Sequence, residues 1–276
     1  MVVTEIPRAG FAVIGGSSTF SINFPEDLKR DDVRVLSPGM TFTTPYGESP
    51  LFKLFILDDK TVLTLKMHGW RSGVARADAS RQVFWVLRET GVKRILAEGG
   101  VGSINRLLRP RDLIVPTDYL DFSMRKDVGL DSSYLLIMRQ PVCPHIRKEL
   151  VRAAESGAVG RVFDRGVYAV TDGRHFESPA EVEALYRLGA DIVGQSMCPE
   201  VYLAREIGAC YGRIDMVVNY AEGVLKEWDY REMSAIFYYE PARIGNILLN
   251  TLKRLEAVQT CRCPELRKPT LLQEKT

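Results

Sequence analysis

The sequence contains no apolar run approaching the roughly 20 residues that a membrane-spanning helix needs, which removes the helical membrane classes. It has no surplus of one charge either. Its 276 residues carry 37 Lys and Arg against 35 Asp and Glu, a formal net charge of +2. Nothing in that balance asks for nucleic acid or an anionic membrane as partner. Residues 1–10 lack a basic segment followed by an apolar core, the mark of a secretory leader, so the expected location is cytoplasmic. Histidine is scarce. His68, His145 and His175 show no H-x-x-H or H-E-x-x-H spacing, and no catalytic metal is expected. Cys143, Cys198, Cys210, Cys261 and Cys263 are too few and too scattered for a secreted disulfide framework. Cys261-Arg262-Cys263 is a C-x-C pair, unlike the C-x-x-C of a zinc knuckle or a thioredoxin-like site. Free thiols are the first reading, and a disulfide set of the hyperthermophile kind is the alternative.

Apolar residues make up 46% of the chain, enough to fill a substantial interior. Short apolar runs predict strands at 11–14, 51–57, 62–66, 93–97, 112–116, 167–170, 191–194 and 213–218. Helical periodicity falls between them at 75–89, 145–156, 179–188 and 200–207, then over 230–258 with an interruption at Pro241. This alternation predicts an α/β protein with a mostly parallel or mixed sheet covered on both faces. Gly91, Gly157, Gly189 and Gly208 stand where helix C-caps belong. With no repeat, low-complexity tract or linker, residues 1–260 read as one domain, followed by a polar tail, 261–276, expected to pack loosely.

Several predicted strands end in small or polar residues, where α/β sheets hold ligands. Gly15-Gly16-Ser17-Ser18 can turn N–H groups and the Ser17 hydroxyl toward an anion, or make a plain tight turn. It lacks the lysine of a P-loop and the spacing of a dinucleotide fingerprint. Glu98-Gly99-Gly100-Val101-Gly102 holds more glycine than a strand-to-helix turn requires, which favours a binding loop. His68 can bind an anion or shuttle a proton. Ser178 with Glu181 has the form of a capping box. Phe176 just before it can stack on a planar ring or serve in the core. Gln195 and Ser196 lie at another strand end. Asn219 offers an acceptor and two donors together, which suits a ring with a carbonyl beside an N–H.

In this order the segments AVIGGSS, TPYGESP, HGWR, VKRILAEGGVGSI, RPRDLIVPTDYLDFSMR, DGRHFESPAEVEALYRLGADIVGQSMCPEVYLARE and MVVNYAEG resemble the trimeric nucleoside phosphorylases, which include methylthioadenosine phosphorylase. The resemblance covers residues 11–256. It implies a single α/β domain with a mixed, partly barrel-like sheet ringed by helices, and self-association as a trimer or dimer of trimers. It also implies cleavage of a purine nucleoside by phosphate as co-substrate, with no metal or redox cofactor. By position, Ser17, His68, Ser196 and Gly100 fall in the phosphate site. Gly99, Phe176, Gln195, Asn219 and Ala221 fall against the nucleoside, and Asn219 and His68 take the catalytic places. Enzymes of this kind acting on 6-aminopurines carry aspartates at the last two substrate positions. Asn219 with Ala221 therefore implies a 6-oxopurine: inosine, guanosine or methylthioinosine. Methylthioadenosine cleavage, hydrolysis with Glu98 activating water, and nucleoside binding without catalysis are the alternatives. Met67 stands in place of the expected arginine and Gly99 in place of a threonine, with Arg71 or Arg81 as candidates to compensate. The C-x-C pair resembles that of hyperthermophilic members, which extends to a bridge between Cys143 and Cys210.

Overall fold

The structure, a computed structural model, describes residues 6–131 and 133–271. Residues 1–5 of the stretch read for a leader, and 272–276 of the tail, lie outside the described residues. Among the described residues eleven strands join in one mixed sheet. Its central pair is Arg94–Ser103 beside Cys210–Tyr220, parallel and in register over nearly their whole length. Phe11–Ile14 lies parallel to Arg94–Ser103, and Lys60–Leu65 parallel to Phe11–Ile14. Phe52–Leu57 and then Val33–Met40 complete that flank antiparallel. A branch leaves the end of Arg94–Ser103 through Ile192–Gly194, Val167–Val170 and Asp118–Asp121. The sheet is not a closed barrel.

Among the described residues six α-helices cover it: α1 (Arg76–Glu89), α2 (Pro144–Gly157), α3 (Pro179–Arg187), α4 (Met197–Glu206), α5 (Tyr230–Tyr239) and α6 (Pro241–Arg254). Val83, Phe84 and Leu87 of α1 and Val201 and Leu203 of α4 pack in one core cluster; Ile146 and Leu150 of α2 and Ile247 and Leu248 of α6 fill another. Proline at the first turn starts α2, α3 and α6, where a missing N–H costs nothing. Ser178 and Glu181 close the expected capping box. Pro241 ends one helix and begins the next, so the predicted long helix is two. Gly91, Gly189 and Gly208 hold the expected positive φ at helix ends, whereas Gly157 is the last residue of α2 and does not.

Three expectations are corrected. Val33–Met40 is a strand that the sequence reading missed: it is an edge strand containing Pro38, and half of it faces solvent. The predicted glycine loop is strand, because Arg94–Ser103 runs straight through Gly99 and Gly100. The described part of the tail does not pack loosely. Arg267–Pro269 pairs with Tyr134–Leu136, Arg205 donates to the Cys263 carbonyl at 2.8 Å, and Cys263 is buried. All five cysteines are free thiols. Among the described residues no helix is long and apolar enough to cross a membrane.

Candidate active site

A cavity of about 340 Å³ opens where the central strands end, within the roughly 300–1,000 Å³ typical of small-molecule sites. Ser17, His68, Gly99, Gly100 and Ser196 line it, and so do Phe176, Gln195, Asn219 and Ala221. Every residue placed by resemblance in the phosphate and nucleoside sites is therefore brought to one space.

At one end the hydroxyls are already committed as acceptors. Ser17 Oγ receives the Gly100 N–H at 2.8 Å, which leaves its own hydrogen to point elsewhere. Ser196 Oγ receives Arg213 Nη2 at 3.2 Å, leaving its hydrogen to the cavity or to the neighbouring Tyr168 oxygen. His68 Nδ1 donates to Glu200 Oε1 at 2.7 Å. The buried carboxylate can only accept, so the Nδ1 tautomer is set and Nε2 is the nitrogen left over. Met67 and His68 take φ of 51° and 56°, left-handed values that L side chains resist, and Gly69 follows at 77°, which glycine adopts freely. Such strain, of order 1–3 kcal/mol per residue, persists where a site depends on it.

Glu98 does not face this space. Its side chain is fully buried and accepts from the N–H groups of Gly16, Ser18 (3.0 Å) and Thr19 (3.2 Å) and from the Thr19 hydroxyl (2.6 Å). The backbone cradle that the glycine-serine turn offers to an anion is thus filled by the chain's own carboxylate. Burial pushes the Glu98 carboxyl up, while the Thr19 hydroxyl, the Gly16 N–H and His68 pull it down. Arg71 and Arg81 do not reach the cavity either. The Arg71 guanidinium is taken by the carbonyls of Gly69 (3.0 Å) and Glu48 (2.5 Å) and by Gln82 (2.6 Å). Arg81 is held by the Gly129 carbonyl and Asp78.

The cation that does line the cavity is Arg76, the first residue of α1. Its guanidinium lies 3.9 Å over the Trp70 ring and donates through Nη1 to Gln195 Oε1 at 3.0 Å and to the Asp172 carbonyl at 2.5 Å. Nε and Nη2 make no hydrogen bond among the described residues. Burial lowers its pKa, and the charges of Arg125 and Arg174 lower it further. Three cations converge here against Asp172, an arrangement that an incoming anion relieves.

At the other end, a bulge in the pairing of Cys210–Tyr220 with Arg94–Ser103 falls between Val217 and Asn219 and re-aims the asparagine. Asn219 is buried. One of its amide hydrogens goes to the Tyr220 carbonyl at 2.8 Å, while Oδ1 and the second hydrogen have no partner among the described residues. Phe176 is half exposed and stands edge-on to Trp228, ring centroids 5.5 Å apart, so it is a wall of the cavity and not a core side chain. Met233 and Phe237 of α5 supply an apolar side.

A sequence model of the phosphorylase superfamily matches residues 11–253. The chain belongs to the phosphorylase superfamily. It is 31% identical over 276 residues to the 6-oxopurine nucleoside phosphorylase of Pyrococcus furiosus, covering 95% of this chain and 98% of that one. It is 38% identical over 217 residues to a Methanopyrus kandleri protein named "Probable S-methyl-5'-thioinosine phosphorylase", covering 77% of this chain and 79% of the relative. Among solved structures, a methylthioadenosine phosphorylase sourced from an Antarctic soil metagenomic library superimposes with a TM-score of 0.83 at 21% identity, over 95% of this chain and 93% of that one, and shares the fold.

In this superfamily member the wall behind the cavity carries charges that the sequence reading missed. Arg213 and Asp215, both fully buried, form a two-pronged ion pair, Nε to Oδ2 at 2.8 Å and Nη2 to Oδ1 at 2.5 Å. Arg213 Nη1 also donates to the Tyr211 oxygen at 3.3 Å, and the Tyr211 hydroxyl donates to Glu200 Oε2 at 2.8 Å. A continuous polar chain therefore runs from Asp215 to His68. A Cβ at Gly99 would stand 2.9 Å from Arg213 Nη2 and 3.1 Å from Asp215 Oδ1. The expected threonine has no room because this pair fills its place. The signal for it was period-two charge inside an apolar strand, and for Arg76 a basic residue in a first helical turn, where a cation is otherwise disfavoured.

Proposed function

We propose that this chain is a purine nucleoside phosphorylase acting on 6-oxopurine nucleosides such as inosine, guanosine or methylthioinosine. The observation that carries the reading is Asn219: a buried carboxamide at the cavity wall with an acceptor and a donor both open, and Ala221 beside it where an acid would favour an amino group. Its second amide hydrogen suits O6 of the base, and its carbonyl suits a protonated N7. The phosphate subsite is the Ser17, His68 and Ser196 end, with Arg76 supplying the positive charge that Met67 does not. In the reaction, a phosphate oxygen bonds to C1′ as the bond from C1′ to N9 breaks. The electron pair of that bond passes into the purine, the proton that hydrogen phosphate gives up on bonding to C1′ is in net terms the one gained at N7, and that N7–H becomes the donor to Asn219 Oδ1. The products are the free base and a pentose 1-phosphate, and the balance asks for no metal or redox cofactor.

Phosphorolysis is preferred to hydrolysis because Glu98 turns away from the cavity into the 16–19 turn. Self-association, as a trimer or dimer of trimers, belongs to the same reading, and the exposed Tyr230, Tyr238 and Tyr239 of α5 support it.

The test is base release from inosine, guanosine, adenosine and both methylthio nucleosides, with and without phosphate. Strict phosphate dependence with 6-oxopurines ahead is the expected result. Release without phosphate, or adenosine ahead of inosine, overturns it. Light scattering of the same sample reads the oligomer, and a monomer at working concentration removes the assembly.

A further inference from the structure

On the sheet face covered by α2 and α6, away from the cavity, four of the five cysteines meet. Cys143 immediately precedes α2, Cys210 opens the Cys210–Tyr220 strand, and Cys261 and Cys263 come from the C-terminal segment. Their four Sγ atoms all lie within 4.8 Å of one another. None of the four lines the cavity. We propose that these thiols form a tetrahedral structural site for a zinc(II) ion, joining the C-terminal segment to α2 and the central sheet.

The distances favour a common centre over pairs. Zinc–thiolate bonds of about 2.3 Å set tetrahedral sulfurs about 3.8 Å apart, whereas a disulfide needs about 2.05 Å. Cys210 and Cys261 stand 3.3 Å apart, and this pair is neither of those the resemblance implies. The remaining Sγ separations also stay within 4.8 Å, so Cys143 and Cys263 belong to the same cluster as this pair. The surroundings suit a cluster carrying surplus negative charge. Arg94 Nη1 donates to Cys210 Sγ at 3.1 Å and approaches Cys261 Sγ at 3.9 Å, while Gln259 Nε2 donates to Cys210 Sγ at 3.1 Å. N–H donors around ligating sulfurs are what such clusters need. Binding exchanges four thiol protons for one divalent ion, with the protons released to solvent and no oxidation. The expectation of no metal rested on spacing along the chain, and spacing misses this site because three distant segments supply its ligands.

The experiment uses the full chain expressed without a histidine tag. Zinc is measured by elemental mass spectrometry after gel filtration, and cobalt(II) is then exchanged in to read its absorption. One equivalent of zinc per chain is expected, with an intense thiolate-to-cobalt band and tetrahedral ligand-field absorption. Cys261→Ser/Cys263→Ser should lose the ion and melt at lower temperature. Should that variant fail to fold, the cobalt spectrum of the unaltered chain decides alone. Disulfides found by non-reducing peptide mapping of the purified chain, or free thiols that leave cobalt with its pale octahedral spectrum, overturn the proposal.

Discussion

Arg213 and Asp215 point to the same face of one strand, two residues apart, and neutralise each other with no exposure to solvent, directly behind the glycine wall of the cavity. Removing one partner leaves a full charge in a dry interior, which costs about 3–5 kcal/mol. Asp215→Asn is therefore expected to lower unfolding stability by about that much in urea titrations. Arg213→Met with Asp215→Leu should recover most of it, since replacing both charges leaves none unpaired. A loss below about 1 kcal/mol in the single variant, the scale of an exposed pair, contradicts the burial argument.

In the proposed reading Arg76, which lines the cavity, is the cation that meets phosphate. Charge-assisted hydrogen bonds are worth roughly 1.5–3 kcal/mol. Arg76→Ala should therefore raise the KM for phosphate by roughly 10-fold to 150-fold, and by more than it raises that for the nucleoside, whose expected neighbour Gln195 it also holds. Arg76→Lys should restore part of the loss, because a point charge replaces a stacked, forked one. Steady-state kinetics with each substrate varied in turn distinguishes this from a general folding defect. An equal rise in both constants would count against the assignment.

Asn219→Asp exchanges a donor for an acceptor at the position proposed to meet the base. Turnover of inosine should fall by orders of magnitude, as losses of a buried, specific hydrogen bond do. Adenosine should gain relative to inosine. An unaltered ratio of kcat/KM for the two nucleosides would remove the basis of the 6-oxopurine reading.

Ser17, His68, Gly99, Gly100, Gln195, Ser196 and Asn219 were legible because each is a polar or glycine residue at or near the end of an apolar run. Their meeting in one place was not legible from spacing, and came from the resemblance. Glu98 misled for a physical reason. A carboxylate beside glycines reads as reactive until its partners at 16–19, some 80 residues distant, are known. Arg71 and Arg81 misled because proximity in sequence to His68 says nothing about where a long guanidinium turns. The strand Val33–Met40 stayed hidden because an edge position tolerates the proline that a central strand forbids.

Asp32 offers a measurement of stability against pH. The Arg30 guanidinium holds its carboxyl well below the ordinary 3.8, burial opposes this, and the Lys253 ammonium adds to the lowering. Arg30 also reaches Asn246 and Asn250, so the carboxylate helps tie residues 30–32 to α6. A depressed folded pKa gives stability that is present above the unfolded value and lost as pH falls through the folded one. The partners are near the surface and screened, which limits the effect to about 1 kcal/mol or less. Asp32→Asn should cost about that much at neutral pH, and the gap to the unaltered chain should close as pH drops below the unfolded 3.8. Urea midpoints across that range check it, and a gap that widens in acid reverses the sign.

Glu98 has a bearing on how the pocket treats an incoming oxyanion. Because the turn at 16–19 already carries a resident acid, its shape does not wait for a guest, and empty and loaded forms should coincide there. The N–H groups at 16, 18 and 19 are already engaged by it, so capture leans on side chains: the Ser17 hydroxyl that the turn itself presents, with His68, Ser196 and Arg76 around it. Selectivity among anions is then a matter of guanidinium reach and hydroxyl direction, leaving the amides of the loop as scaffolding.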